Sequence, residues 1–304
     1  MSLADVVAPV LAAVRDRRPG TAPDGWRPVV QGAAGHVVGV RDLRGNDLVV
    51  KIYPGAPDTR LATEVLGLRL AAEVLPVPRV LLHGELADRS AGYVLMTRLP
   101  GVRWADVRSV IDPATGTALT QAAGRLLRRL HSVRGARFGD LLRPSHDTAW
   151  GRVTALRDTL LPAYVGAGGS SLLAGRVARF VETRRPAAES CSEPALCHDD
   201  FISGNLLLRE GPDPALTGVV DLEGATWDDP MSDLAQTQVH VAFHAPADVT
   251  PLLEAYGVSA AQRPRLDLFT LLHRVRERTW VATDRPAGWE RSAARLDALI
   301  AAAL

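Results

Sequence analysis

Residues 196–222 constrain the fold of this chain more than any other stretch. In this segment, polar residues are followed by two short apolar runs. His198, Asp200 and Asn205 lie just before the first run, where a soluble protein usually places core residues. A Gly-Pro-Asp-Pro turn separates the two runs, and Asp221 follows the second. The pattern predicts a loop, a short strand, a turn and a second short strand, with polar side chains at the ends of the strands.

The spacing of these polar residues is typical of a phosphoryl-transfer site. In such sites His-x-Asp-x-x-x-x-Asn supplies a base and a metal ligand, and a later Asp holds Mg²⁺. Mg²⁺ prefers hard oxygen ligands, which Asn205 and Asp221 can supply. Asp200 would then face the hydroxyl group that accepts the phosphoryl group. We therefore predict that Asp200 is catalytic and that Asn205 and Asp221 are metal ligands.

Three motifs follow one another in this part of the chain: His198-x-Asp200-x-x-x-Gly204-Asn205, Asp221-x-Glu223 and Asp229-Pro230-x-x-Asp233-Leu234-Ala235. Their order and gaps resemble the aminoglycoside phosphotransferase family, small-molecule kinases with a protein-kinase-like fold. One residue departs from the family pattern, because Asp199 stands where Gly is usual and its side chain must fit into a tight loop. The resemblance implies that His198 and Asp233 support the catalytic loop, Asp233 by bracing its backbone.

The fold that the resemblance implies is α+β and bilobal, with a small antiparallel-sheet N-lobe and a mainly helical C-lobe. We predict an N-terminal nucleotide-binding lobe at residues 1–97, a hinge at 98–101 and a helical C-terminal lobe at 102–304. The C-terminal lobe would hold the catalytic loop and the acceptor site. A chain of 304 residues is long enough to give both lobes a core.

A strand and the helix after it carry the first predicted nucleotide-binding residues. Lys51 is the only lysine in the chain and lies in a predicted strand, 48–53. A lone strand lysine is most often exposed at a sheet edge. Here the predicted helix 59–75 follows, with Glu64 beside its apolar stripe. The kinase-like fold predicts a Lys51–Glu64 pair, and Glu73, farther along the helix, is the rival partner.

Two further segments are predicted to contact the nucleotide. Gly32 and Gly35 alone are best explained by a tight turn, but their position before the lysine strand favours a phosphate-binding glycine loop. Alignment with the family places Met96 beside the adenine and the backbone of Thr97 and Leu99 in hydrogen bonds to it. A plain strand-to-turn junction explains the same residues almost as well. The expected nucleotide is ATP, with GTP as the alternative, and the expected metal is Mg²⁺.

Charge and cysteine content exclude several classes of protein. A net charge of +1 gives no basic field for nucleic acid. The two cysteines, Cys191 and Cys197, argue against a disulfide scaffold and favour a reducing cytoplasm. Cys197 and His198 are not a convincing nucleophile and base, because neighbouring residues on an extended chain point apart. No apolar run is long enough for a bilayer, and the first residues do not form a signal peptide.

The acceptor is the least constrained part of the prediction. Glu223, Asp228 and Trp280 are candidate acceptor-binding residues, although solvation or support of Mg²⁺ explains the two acids equally well. A polycationic aminoglycoside would favour a carboxylate-lined site, whereas the segment 263–290 carries six arginines and four acids. We therefore expect apolar walls, few acids away from the metal, and a neutral or weakly charged hydroxylated acceptor.

The predicted function is ATP-dependent phosphorylation of a hydroxyl group on a small molecule, most plausibly an antibiotic or related natural product in resistance or biosynthesis. One alternative is a metabolic kinase for an amino alcohol or a sugar. The alternative from another class is an inactive kinase-like binding module. The presence of Lys51, Glu64, Asp200, Asn205 and Asp221 argues against the last alternative.

Overall fold

The computed structural model describes residues 3–29, 31, 35–55, 59–211 and 214–304. Gly32, one of the two glycines predicted to lie over the nucleotide, falls outside these residues. The described chain forms two compact units. Unit 1 comprises residues 1–110 with 203–225, and unit 2 comprises 111–202 with 226–304.

The helices and strands are, in chain order, α1 (Leu3–Arg17), β1 (Ala22–Pro23), β2 (His36–Arg41), β3 (Asp47–Pro54), α2 (Thr59–Ala71), β4 (Val80–Glu85), β5 (Ala91–Thr97), β6 (Val102–Arg103), α3 (Trp104–Val107), α4 (Pro113–Leu130), β7 (Phe138–Asp140), β8 (Pro144–His146), α5 (Ala149–Gly166), α6 (Ser171–Thr183), α7 (Arg185–Glu189), β9 (Ala195–Cys197), β10 (Leu206–Arg209), β11 (Ala215–Val219), β12 (Thr226–Asp228), α8 (Pro230–His244), α9 (Val249–Tyr256), α10 (Arg263–Asp284) and α11 (Trp289–Ala302). Among the described residues, no helix has both the length and the apolar character that crossing a bilayer requires.

Unit 1 is built on an antiparallel five-stranded sheet with the order β1-β2-β3-β5-β4. Helix α1 packs on one face of this sheet, and its valines at positions 6, 10 and 14 join a buried core with Val50 and Ile52 of β3. Because side chains alternate along a strand, Lys51 points to the opposite face. The alternation of β3 therefore places Lys51 on the face opposite the one that packs against α1.

A second, three-stranded sheet explains why residues 203–225 belong to unit 1. β10 pairs with β11 and also with β6, where Leu207 lies opposite Arg103. Gly101 has a φ of +110°, and a Cβ at this position would overlap the carbonyl oxygen of Leu208. The sheet therefore requires glycine just before β6. The predicted lobe boundaries stay a prediction, from which the observed units differ by grouping 203–225 with the N-terminal residues.

Unit 2 is mainly helical and contains one antiparallel sheet with the order β8-β7-β12-β9. Its longest helix, α10, packs against α5, α8 and α11, while α4 packs against α9. Helix α8 begins at the third sequence motif, where Asp229 Oδ1 accepts a hydrogen bond from Met231 N at 2.9 Å and Pro230 occupies the first turn. This start places Asp233 in the first turn of α8. The antiparallel sheet of unit 1 and the helices of unit 2 agree with the predicted α+β class.

Candidate functional site

Three carboxylates surround Lys51 in unit 1. Lys51 Nζ lies 3.1 Å from Glu64 Oε2, 2.6 Å from Asp221 Oδ1 and 2.9 Å from Glu223 Oε2. We call these four residues the Lys51 cluster. The Lys51–Glu64 pair has the geometry that the sequence predicts, and both residues are buried. Glu73, the rival partner, is exposed.

Close packing within unit 1 brings the acids of the cluster to Lys51. Gly67 of α2 lies against Leu222, since a Cβ at Gly67 would be 3.0 Å from the Leu222 Cβ. Asp221 has a φ of +71°, so the chain turns sharply after β11. Val220 N donates a hydrogen bond of 3.0 Å to the carbonyl oxygen of Asn205. The segments that carry Asn205 and Asp221, the two predicted metal ligands, are therefore held side by side.

The cluster joins one ammonium group to three carboxylates, which affects the pKa values of Lys51 and Glu64. Burial lowers the pKa of Lys51, but Glu64 and Asp221 outweigh burial and raise the pKa well above 10.5. The pKa of Glu64 is raised, first by burial and then by the neighbouring acids, despite Lys51. Oxygen atoms of Glu64, Asp221 and Glu223 all lie within 4.8 Å of one another. Such an acidic set of hard oxygen donors fits a cation like Mg²⁺.

The predicted glycine loop and adenine-binding segment also lie in unit 1. A Cβ at Gly35 would lie 3.1 Å from the carbonyl oxygen of Ile52 and 3.5 Å from Lys51 Cε, so the backbone passes close to the lysine. Met96 is buried in β5, and Thr97 is the last residue of that strand. Leu99 packs against Gly218, because a Cβ at Gly218 would lie only 2.4 Å from Leu99 Cδ1. The contacts of these residues with a nucleotide remain predictions.

In unit 2, Asp233 holds the backbone of the loop that leads to Asp200. Its Oδ2 accepts a hydrogen bond from His198 N at 2.7 Å, and its Oδ1 accepts one from Asp199 N at 3.0 Å. His131 Nε2 lies 3.2 Å from the same Oδ2. Burial raises the pKa of Asp233, but these contacts outweigh burial and lower the pKa below 3.8. Asp233 thus makes the backbone contacts of the brace that the resemblance implies, and His131 is a buried, bonded histidine.

Asp199 occupies the tight loop in a conformation that favours glycine. Its φ is +58°, in the left-handed region that Asp enters more readily than most residues. Its side chain turns to Arg276, whose Nη1 lies 2.7 Å from Asp199 Oδ1. Gln236 Nε2 and Arg276 Nη2 both donate to its carbonyl oxygen, at 2.9 and 3.2 Å. The loop therefore accommodates the departure from the family pattern through contacts with α8 and α10.

Asp200 interacts electrostatically with residues of both signs in unit 2. Burial lowers the pKa of Arg276, but Asp199 first and Asp200 after it outweigh burial and raise this pKa. The pKa of Glu277 is raised by burial and, to a smaller extent, by Asp200, despite Arg276. Both of these residues are on α10. Sequence reasoning did not single out Arg276, because the arginines of this segment looked like solvated residues. The signal available was Asp199, since an acid in place of a loop glycine calls for a cationic partner.

The three candidate acceptor residues have different surroundings. Glu223 contacts Lys51, as described above. Asp228 is buried, its Oδ2 accepts a hydrogen bond of 2.9 Å from Arg152 Nε, and its Oδ1 accepts one from Asp229 N. Trp280 lies one turn after Arg276 on α10 and has 51% of its surface exposed. Only Trp280 therefore offers a large exposed surface, while both acids already have cationic partners.

Comparison with known families gives one match. The model of a family described as the phosphotransferase enzyme family matches residues 25–269. No curated protein matches the sequence.

Several solved structures share the fold along almost the whole chain. Aminoglycoside phosphotransferase APH(4)-Ia has a TM-score of 0.70 and 19% identity, with 98% of both chains covered. A thermostable mutant of that enzyme, in a ternary complex with AMP-PNP and hygromycin B, has a TM-score of 0.68 and 21% identity and covers 93% of this chain and 94% of its own. The GDP and kanamycin complex of APH(2")-IIia has a TM-score of 0.69 and 15% identity, with 96% and 98% covered. At these identities the likeness concerns the fold, and the predicted protein-kinase-like fold is confirmed.

Proposed function

Because its residues 25–269 match that model, the chain belongs to the phosphotransferase enzyme family, and we propose that it transfers the γ-phosphoryl group of ATP to a hydroxyl group of a small molecule. The observation that carries the proposal is the Lys51 cluster, in which one buried ammonium group meets three carboxylates. A phosphoryl-transfer enzyme needs a positioned cation and acidic oxygen ligands for Mg²⁺ more than it needs a nucleophile of its own. The cluster contains both.

Residues of the Lys51 cluster, together with Asn205, have different roles in nucleotide binding. Lys51 neutralises phosphate oxygens, and Glu64 fixes the direction of the lysine side chain from α2. Asn205 and Asp221 would hold Mg²⁺, which would supply positive charge beside the phosphoryl group. Three solved structures of the same fold hold AMP-PNP, ADP and GDP, respectively. We propose ATP for this chain, with GTP as the alternative.

Asp200 orients the acceptor hydroxyl and takes up its proton. The loop that carries it has little freedom, because Asp233 accepts hydrogen bonds from the backbone of His198 and Asp199. A base must be fixed within hydrogen-bond reach of the proton that it removes. Asp233 therefore supports catalysis from a position in which it touches neither substrate.

We further propose an acceptor with hydroxyl groups and at most one positive charge. Two acids close to the catalytic loop, Asp199 and Asp228, are each paired with an arginine, at 2.7 and 2.9 Å. A bound polycation needs carboxylates that lack such partners, since an uncompensated buried charge is very costly. The exposed ring of Trp280 offers an apolar surface for a sugar or another ring. The complexes with hygromycin B and kanamycin describe the acceptors of those enzymes only.

Both cysteines are unpaired and buried, as expected in a reducing compartment. We therefore propose the cytoplasm as the location of this enzyme.

A phosphorylation screen tests the proposed function. Purified protein is incubated with Mg²⁺–ATP and panels of antibiotics, sugars and amino alcohols, and mass spectrometry detects the gain of one phosphoryl group. We expect a gain on a hydroxylated compound of low charge. The variant Asp200→Ala should lose about 10²- to 10⁴-fold in kcat while still binding the nucleotide.

Two outcomes would contradict the proposal. Nucleotide binding without transfer to any compound would indicate a binding module. Phosphorylation of kanamycin, with an affinity that falls steeply as salt is added, would overturn the argument about acceptor charge, because screening acts on all charges of a polycation at once.

A further inference from the structure

The contacts of Asp199 form a clamp on the residue just before the proposed base. Arg276 Nη1 donates to its Oδ1 at 2.7 Å and Arg276 Nη2 donates to its carbonyl oxygen at 3.2 Å. The guanidinium group therefore holds the side chain and the main chain of one residue together. Gln236 donates to the same carbonyl oxygen, and Asp233 accepts from the amide of Asp199. Both polar atoms of the Asp199 backbone and its carboxylate thus have partners on α8 or α10.

Arg276 lies on α10, which packs against α5, α8 and α11. The next residue on the chain, Glu277, is partly buried, and Val275 on the other side is fully buried. One turn before Arg276, Leu272 is also buried in the core. The backbone of α10 cannot shift without disturbing these contacts, so the side chain of Arg276 extends to the loop from a fixed backbone position.

The planar fork of arginine suits this contact better than any other side chain. Its two Nη groups donate in parallel, at a fixed spacing, to two oxygens of Asp199. A glycine in this position would take the same φ of +58° without strain, but it has no carboxylate for Arg276. Asp199 therefore lacks the conformational freedom of glycine but makes a directional ionic contact with Arg276.

We propose that Arg276 is a positioning residue for phosphoryl transfer, acting through Asp199 to fix the direction in which Asp200 presents its carboxylate. This inference rests on the proposed function, in which Asp200 receives the proton of the acceptor. Arg276 touches neither the acceptor nor the nucleotide in this role. Loss of the clamp leaves Asp200 present but less well aimed, and small misplacements of a reacting group lower rates by as much as about 10²-fold.

Two variants test the clamp, and each removes one of its two side-chain partners. Asp199→Gly keeps the left-handed backbone and deletes the carboxylate, while Arg276→Gln deletes the charge and keeps a polar side chain of similar reach. Arg274→Gln is the matched control, because Arg274 lies on the same helix and donates to the carbonyl oxygen of Leu299 instead. The probe is Mg²⁺–ATP with water as the acceptor, so the assay does not depend on knowing the natural substrate.

We expect Asp199→Gly and Arg276→Gln each to lower kcat for hydrolysis by about 10- to 10²-fold, with the KM for Mg²⁺–ATP unchanged. The double variant should be no slower than either single variant, because both remove the same contact. Arg276→Lys should recover part of the rate, since lysine keeps the charge but not the fork. Melting temperatures should stay within about 2–4 °C of the parent, as expected for a partly exposed pair.

Other results overturn the inference. A parental kcat in both single variants shows that the clamp does not position Asp200. Losses that add up in the double variant, or an equal loss in Arg274→Gln, show a general effect of charge on α10. If the parent has no activity that depends on Asp200, with water or with any acceptor, the proposed function itself fails, which is distinct from failure of the clamp alone.

Discussion

Replacement of Asp233 by alanine offers the most quantitative test of the catalytic loop. The change removes the acceptor for two backbone N–H groups, the buried group of His198 and the partly buried group of Asp199, which lie 2.7 and 3.0 Å from the carboxylate. A buried donor left without a partner costs about 1–3 kcal/mol, and a partly buried donor costs less. The two together predict a loss of at least about 1–3 kcal/mol in the free energy of unfolding. That loss is a large share of the total stability of a typical domain, about 5–15 kcal/mol.

The effect should depend on pH in a defined direction. The pKa of Asp233 is lowered below 3.8 in the folded state, so the ionised carboxylate stabilises the fold above pH 3.8. This contribution disappears as the pH falls through the folded-state pKa. The difference in stability between the parent and Asp233→Ala should therefore be largest near neutral pH and shrink below about pH 4.

Urea unfolding at several pH values, followed by tryptophan fluorescence, measures this difference. Asp233→Asn should fall between the parent and Asp233→Ala, because one amide oxygen can replace only one of the two acceptors. Asp158→Ala is the control, since the Asp158 side chain is 64% exposed and pairs with Arg157 at the surface. The bracing role is refuted if Asp233→Ala unfolds within about 0.5 kcal/mol of the parent at neutral pH, as surface substitutions do.

Three further predictions concern unit 1, and a glycine of unit 2 serves as the contrast for the third. Lys51→Met leaves the buried carboxylate of Glu64 without its cation. The change should cost about 3–5 kcal/mol in urea unfolding, with loss of Mg²⁺–ATP binding by calorimetry; parental values in both assays would contradict the role of Lys51. Asp221→Asn should weaken binding of Mg²⁺–nucleotide by about 10- to 100-fold while the melting temperature stays close to the parent, because Asn also tolerates a positive φ; equal binding would remove Asp221 as a metal ligand. Gly101→Ala should destabilise by more than about 1 kcal/mol, since its Cβ would overlap the carbonyl oxygen of Leu208. Gly116→Ala, with open space around a helical glycine, should instead stabilise by about 0.5–1 kcal/mol.

Local patterns and the family resemblance together predicted the Lys51–Glu64 pair. Strand alternation and helical periodicity predict β3 and α2, and the kinase-like fold selects Glu64 as the partner of Lys51. The resemblance supplied the brace of Asp233, because the Asp-Pro-x-x-Asp motif starts a helix with that aspartate in its first turn. Short-range geometry thus predicts the elements that carry these side chains, whereas the contact between His198 and Asp233 spans 35 residues and was expected from the resemblance alone.

Contacts between distant segments were outside the reach of the same reasoning. Asp221 and Lys51 are 170 residues apart in the sequence. The segment that carries Asp221 joins unit 1 by strand pairing with β6, which has only two residues. Such a short strand has no periodic signal. The Asp199–Arg276 pair spans 77 residues, and nothing in the pattern around Arg276 distinguishes it from neighbouring arginines. Packing, rather than local propensity, selects these partners.

Unit 1 is formed by two separate segments of the chain, so the ribosome makes its two parts at different times. Residues 1–110 cannot complete their fold until 203–225 have emerged from the ribosome, because β6 and Lys51 take partners from that later segment. At roughly 5–20 residues per second the delay is about 6–23 s. During this interval the nascent chain contains Lys51 and Glu64 without Asp221 or Glu223. The Lys51 cluster is therefore completed only after the loop that carries Asp200 has been made.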